Sequence, residues 1–229
     1  MPAKDAVIRE QILSVIGTSR KGRNKVIRLV QRTRPEFSSS RIRRVYEQSG
    51  MSLYKRPRRR LRGQKSAPLN VPLLPMQELA MDFMSDCLVG GRRFRTLNVI
   101  DHHNRKCLGI FVDFSLPSVK VIEALERVFD MHGTPKAIRT DKGPEFTSKR
   151  FRLWMHLKGV KHIRIQPGKP AQNGIIERFN RTYREDILDA ELFESLEHAR
   201  RISYDWLADY NANRPHQSLG YSTPNTYAA

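Results

Sequence analysis

Residues 77–114, QELAMDFMSDCLVGGRRFRTLNVIDHHNRKCLGIFVDF, decide the fold. Leu79–Val89 reads as a strand, with apolar and polar side chains alternating from Ala80 to Asp86. Gly90-Gly91 is a hairpin-turn signal. Phe94–Ile100 and Lys106–Phe114 follow as two further apolar runs, so the stretch predicts a meander of three strands. The period then changes from two to 3.6. Pro117–His132 predicts a helix with Val121, Leu125 and Val128 on one side, closed by Gly133 and followed by Pro135. Short strands are expected at Lys136–Thr140 and Lys161–Ile165, with a helix at Ser148–Leu157 between them. Residues 171–188 predict a long helix, and 195–212 another carrying Ala199, Ile202, Trp206 and Tyr210 on one face. A three-strand meander followed by alternating helices and strands is the order of a ribonuclease-H-like α/β domain. Its sheet is mixed and five-stranded, with flanking helices.

Upstream, the reading is different. Ile8, Ile12, Val15 and Ile16 stripe one helix behind Asp5, and Val26, Leu29 and Val30 stripe a second. Ser38–Ser40 offer N-caps to a third helix with Ile42, Val45 and Tyr46 on its inner face and Gly50 as a stop. Arg41, Arg43 and Arg44 are expected on its outer face. This is the layout of a small all-α, helix-turn-helix-like module, which reads the major groove; a solvated bundle gripping phosphates without base preference fits the same pattern. Residues 55–65, KRPRRRLRGQK, are too charged to fold alone, and Arg58, Arg59 and Arg60 suit a segment lying along phosphates. Three prolines in residues 66–76 mark an extended connector. The expected organisation is a basic helical module at 1–54, a linker at 55–76, the α/β core at 77–190, and a C-terminal helix and tail at 191–229 packed on that core.

Charge separates the two parts. Residues 1–65 hold 19 Lys and Arg against 4 acids, a net of +15; residues 66–229 hold 23 against 19, a net of +4. A basic surplus of this size points to nucleic acid. The apolar runs are too short to span a membrane, and the N-terminus has no secretory apolar core. Two cysteines, Cys87 and Cys107, exclude a disulfide scaffold and a multi-cysteine zinc site; both read as buried, reduced packing thiols of a cytosolic protein.

Three acids stand out. Asp82 interrupts the apolar strand LAMDFM, where a charge is costly unless it is paired or binds metal. Asp141 follows the strand AIRT at its carboxyl end, where open α/β sheets place ligands. Glu177 lies in the helix that carries Ile176, Phe179, Tyr183 and Ile187 as its core stripe; Asn180, Arg181 and Arg184 share its neighbouring face. Phosphodiester transfer needs an activated attacking oxygen and a stabilised leaving oxygen. Two divalent ions about 3.5–4 Å apart supply both, and carboxylates hold Mg²⁺. In that scheme Asp82 bridges two ions, with Asp141 on one and Glu177 on the other. Asp86, Asp101, Asp113 and Glu145 read as ordinary surface acids.

Asp141 and Glu177 are separated by 35 residues, and Asp82 lies 59 positions before Asp141. With the words MDFMSD, GRRFRTLNVID, FSLP, AIRTDKGPEF, IQPGKPAQNGIIERFNRTYREDIL and YNANRPHQSLGYSTP, this pattern resembles the integrase-core product of insertion-sequence family three, within the Asp-Asp-35-Glu superfamily of retroviral integrases and bacterial transposases. The match runs over about residues 40–229, since SRIRRVYEQSGMSLYKRPRRR is also similar. The resemblance implies a transposase of the ribonuclease-H fold using Mg²⁺ or Mn²⁺, two ions per active site, to cleave and join DNA at element ends. It implies Asp82, Asp141 and Glu177 as the triad and Arg184 as a basic residue reaching a phosphate of the element end. Gln172, Asn173 and Asn180 belong to the same motif, contacting DNA or bracing Glu177, while His216 reads as a packed or hydrogen-bonded residue. It also implies a bacterial cytoplasmic, nucleoid-associated protein, a dimer or larger assembly on DNA, and an upstream product as partner. The family usually has Asn after the second Asp; here Lys142 stands there, either competing with a metal ion or holding a phosphate. Two other readings stay open from sequence: a DNA-binding regulator with an idle core, and a nuclease acting on hybrids, against which the 35-residue spacing and YNANRPH argue.

Overall fold

The computed structural model describes residues 3–17, 22–51, 72–165 and 173–228. The chain divides into two compact units. One comprises Met1–Gln64 with Pro215–Ser222; the other comprises Lys65–Arg214 with Thr223–Ala229. The charged run with Arg58, Arg59 and Arg60 and most of the connector lie outside the described residues.

Among the described residues, the first unit holds the α-helices α1 (Ala3–Ile16), α2 (Arg23–Thr33) and α3 (Ser39–Gln48). Ile8 and Ile12 meet Val26, Ile27 and Val30 of α2 and Ile42, Val45 and Tyr46 of α3 in one apolar cluster. Ile27 takes the place expected of Leu29, two residues earlier on the helix. Ser38 caps α3, its Oγ accepting from the Arg41 amide, and Gly50 ends it at φ +67°. One expectation for α3 is corrected. Asp5 is buried, and its carboxylate accepts from Arg41 Nε at 3.0 Å and Arg44 at 2.9 Å, so of the three arginines only Arg43 is left without that tie. A buried carboxylate requires such partners, and α1 and α3 supply them across their contact.

The second unit is built on a five-stranded sheet in the order β3-β2-β1-β4-β5. β1 (Glu78–Cys87), β2 (Arg93–Asp101) and β3 (Cys107–Asp113) form the expected antiparallel meander, and Gly91 turns the first hairpin at φ +78°. β4 (Ala137–Thr140) lies parallel to β1, and β5 (Lys161–Arg164) parallel to β4. This is the mixed sheet expected from the sequence, with helices on both faces.

Strand periodicity assigns the faces. Leu79, Met81, Leu97, Val99 and Ile138 point to one side, against α4 (Ser118–His132), a short α5 (Pro144–Thr147) and α6 (Lys149–Leu157). Ala80, Met84, Phe94 and Ile100 point to the other, against α7 (Gly174–Tyr183) and α8 (Leu196–Asn213). Phe179, Tyr183, Trp206 and Tyr210 form an aromatic cluster there, with ring centroids 5.0–5.6 Å apart. The long helix expected over 171–188 changes character: α7 stops at Tyr183, and Arg184–Leu188 form a π-helical turn. A short α9 (Pro224–Ala228) closes the described chain. Cys107 is buried as expected, whereas Cys87, at the end of β1, is exposed. No helix among the described residues is long and apolar enough to cross a membrane.

Candidate active site

Asp82 lies at the middle of β1 on the face that carries α7. Its strand neighbours Met81 and Phe83 turn to the opposite face, and its direct partner across β2 is Asn98. The carboxylate is held at both oxygens. Oδ1 accepts from the Phe83 amide at 2.9 Å, and Oδ2 from the Asn180 Nδ2 amide at 2.9 Å. Asn180 in turn accepts at its Oδ1 from Asn98 Nδ2 at 2.8 Å.

Asp141 is placed by the parallel register of β4. Leu79 lies beside Ile138 and Ala80 beside Arg139. β1 and β4 are neighbours in the sheet, so Asp141, just past the end of β4, follows the strand next to the one that carries Asp82. Asp141 Oδ1 accepts from the Gly143 amide at 2.9 Å, which closes the turn after β4. A Cβ at Gly143 would stand 3.1 Å from that oxygen and 3.3 Å from Glu145 Oε2, so this tight turn favours glycine without need of a positive φ. Behind the strand end, Thr140 is fully buried, and its hydroxyl donates to the Asp141 carbonyl at 2.7 Å and meets His162 Nε2 at 2.9 Å.

Glu177 comes from α7, one turn before the buried Asn180, and is exposed. The charges of Asp141 and Glu177 both act on Asp82. Burial pushes the Asp82 carboxyl up to about 6, and the negative charges of Asp141 and Glu177 add to that rise against the hydrogen bonds from Phe83 and Asn180. A carboxylate crowded by two like charges is one whose charged form a cation would restore. Among the described residues no three His, Cys, Asp or Glu side chains stand close enough to enclose an ion by themselves. Mg²⁺ does not require such a cage: it keeps several waters and takes one or two carboxylates. The all-oxygen donor set therefore fits Mg²⁺ or Mn²⁺.

The residues expected around the triad are placed unequally. Lys142 and Arg181 are exposed beside Asp141 and Glu177, with no acidic partner among the described residues. Asn180 is buried and spends both ends of its amide on Asp82 and Asn98, so the acid it braces is Asp82. Asn173 is buried at the start of α7 and makes no side-chain capping bond. Gln172 lies outside the described residues. Arg184, seven residues after Glu177, is still in α-helical phase, its amide donating to the Asn180 carbonyl. The π-helical turn, with the Asp189 amide donating to the Arg184 carbonyl at 2.8 Å, shifts the phase only of the residues that follow. The Arg184 guanidinium donates to the Ser85 carbonyl at 3.0 Å and pairs with Asp86 and Asp189, each at 3.5 Å.

Two contributors escaped the sequence reading. The first is Asn98. The second is Glu145, which was set aside as a surface acid. Its carboxylate pairs with Arg95 at 2.5 Å, Arg95 lies over the Phe83 ring at 4.1 Å, and Phe83 stacks on Phe146 at 4.9 Å. The Asp141 turn is thus tied to β1 and β2. Asp101 is likewise no surface acid: it is buried and accepts from the Met76 and His103 amides, both at 2.7 Å. The signal for Asp101 was its place at a strand end before His102-His103-Asn104, a turn with amides to satisfy.

Models of the integrase core domain match residues 73–170 and 158–224. An insertion element IS407 uncharacterized 31.7 kDa protein of Burkholderia multivorans is 37% identical over 91% of this chain and 75% of its own length. An insertion element IS476 uncharacterized 39.2 kDa protein of Xanthomonas euvesicatoria is 38% identical over 88% of this chain, which spans 59% of that protein. Among solved structures, the HTLV-2 integrase catalytic core domain in complex with magnesium superposes with a TM-score of 0.51 at 19% identity, over 69% of this chain and 99% of that one. That similarity establishes the ribonuclease-H-like fold. The strand order, the matched core domain and the insertion-element relatives agree: the chain belongs to the integrase-core family of insertion-element transposases.

Proposed function

We propose that the chain serves DNA transposition by cleaving and joining DNA strands at the ends of an insertion sequence, with Asp82, Asp141 and Glu177 holding two Mg²⁺ or Mn²⁺ ions. The observation that carries this reading is the Asp82 carboxylate, set in a β-strand under α7 with the charges of Asp141 and Glu177 acting on it. Such an arrangement repels DNA unless cations intervene. The bound ions supply activation of the attacking oxygen and charge stabilisation at the leaving oxygen. Asp82, gripped by one hydrogen bond on each oxygen, retains further acceptor capacity for a cation. The Asp141 turn is held by Gly143 and by the Glu145–Arg95 pair. Exposed Lys142 and Arg181 flank the acids and suit phosphate contact. The magnesium in the similar HTLV-2 core supports the choice of metal, and that core's dimeric form supports assembly as a dimer or larger on DNA. The basic helical module, through Arg43 above all, and Arg58–Arg60 of the linker would grip the duplex. An upstream product as partner and a bacterial cytoplasmic, nucleoid-associated location complete the proposal.

The test is incubation of the chain with labelled element-end DNA and Mg²⁺ or Mn²⁺, with Asp141→Asn beside it. Metal-dependent 3′-end cleavage or strand joining, lost in the variant while DNA binding persists, is the expected result. Tight binding without product in either metal would refute the catalytic reading.

A further inference from the structure

We propose that Asn98 is a positioning residue for Asp82, acting through Asn180, and so sets how tightly the three-acid site holds a divalent cation; this rests on the metal-binding reading above. Asn98 sits in the middle of β2 at 0% exposure, in the run TLNVI, among residues that pack apolar side chains on both faces of the sheet. An aliphatic residue would fill that position at no polar cost. The amide is costlier still because its Oδ1 is buried with no hydrogen-bond partner among the described residues. Stability of the strand does not account for an asparagine here, whereas orientation of its neighbour does.

The argument is one of donor and acceptor polarity. A carboxylate only accepts, while an asparagine amide offers a donor at one end and an acceptor at the other. Asn180 helps Asp82 only with its Nδ2 turned toward the acid. The Asn98 Nδ2 donates to Asn180 Oδ1 at 2.8 Å, which holds Asn180 with its Nδ2 on Asp82 Oδ2 at 2.9 Å. Asn98 and Asp82 face each other directly across the β1–β2 register, and Asn180 enters from α7 to bridge them. Removing the Asn98 donor leaves Asn180 anchored at one end only, so its Nδ2 is held less firmly on the carboxylate. One of the two hydrogen bonds that orient Asp82 toward the cation is then loosened.

The test uses the full chain with Mn²⁺ as the only added ligand, its binding followed by water proton relaxation. Asn98→Leu is expected to fold, by tryptophan fluorescence, and to weaken Mn²⁺ binding roughly tenfold or more, as outer-shell changes do. In an Asn180→Leu background the same change should add nothing, because the link is already cut. A metal-free readout accompanies these: the Asn180 side-chain amide signal in NMR should be protected from exchange in the parent and lose that protection in Asn98→Leu. Should Asn98→Leu fail to fold, Asn98→Ser, too short to reach Asn180, should give the same losses. An unchanged Asn180 signal in a folded variant, or losses that add in the double variant, overturns the proposal. Asp82→Asn separates it from the reading beneath: if that change leaves Mn²⁺ binding intact, the metal assignment fails while the NMR result still decides the relay.

Discussion

Glu78 offers the sharpest test of how the sheet is held. It opens β1, and its Oε1 accepts from His102 Nδ1 at 2.9 Å and from Arg139 Nε at 2.7 Å. Burial pushes its carboxyl up, but the hydrogen bonds and charges of His102 and Arg139 outweigh burial and bring it down to about 2 from 4.5. A drop of about 2.5 units, at about 1.36 kcal/mol each, corresponds to about 3 kcal/mol of stability at neutral pH. The sign follows from the direction. A depressed carboxyl stabilises the folded state fully above its unfolded value near 4.5, and that contribution fades as pH falls from there toward 2. Glu78→Gln should therefore cost about 3 kcal/mol at pH 7, and up to about 5 because it strands the Arg139 guanidinium, whose side chain is only 13% exposed. The gap between parent and variant should narrow below about pH 4.5. Denaturant unfolding at pH 7, 5 and 3, followed by tryptophan fluorescence, measures it. Both tryptophans, Trp154 and Trp206, belong to the sheet unit, so the signal reports that unit alone. A gap that stays constant from pH 7 to pH 3, or is below about 1 kcal/mol at pH 7, would refute the reasoning.

Asp5→Ala should loosen the three-helix unit by about 2 kcal/mol, the lower range for lost charge-assisted bonds, because Arg41 and Arg44 are partly exposed and return to water. Limited proteolysis should then cut within residues 3–51 sooner while the tryptophan signal stays unchanged; equal cleavage rates would refute it. Lys142→Asn removes an exposed cation next to Asp141 and should lower the Mg²⁺ concentration for half-maximal cleavage a few-fold, the gain shrinking at high salt. A higher Mg²⁺ requirement would mean that Lys142 serves the phosphate more than it opposes the metal.

What the sequence made legible was what neighbours in the chain encode. The alternation in LAMDFM, the Gly90-Gly91 turn and the 3.6-residue stripe of Val121, Leu125 and Val128 recur in β1, its hairpin and α4. What stayed hidden depends on register between distant segments. Asp5 meets Arg41 across 36 residues, Glu78 meets Arg139 across 61, and Asn98 meets Asn180 across 82. No local pattern carries such a pairing, which is why Arg41 and Arg44 were expected to face outward and Glu145 was set aside. The π-helical turn was equally hidden, since residues 184–188 keep a helical composition and only the phase of the residues after Arg184 changes.

One local rule reached further than it was taken. Asp82 drew attention as a charge inside an apolar strand, on the ground that a buried polar group needs a partner. The same rule applies to Asn98 in TLNVI, one strand over. One residue, Asn180, three positions after Glu177 on the same helix, hydrogen-bonds both of them. Two misfits on paired strands and a buried amide beside the third acid are therefore one arrangement. The helix that carries Glu177 also carries the Asn180 that holds Asp82, so a shift of α7 along the sheet would move Glu177 and disturb Asp82 together.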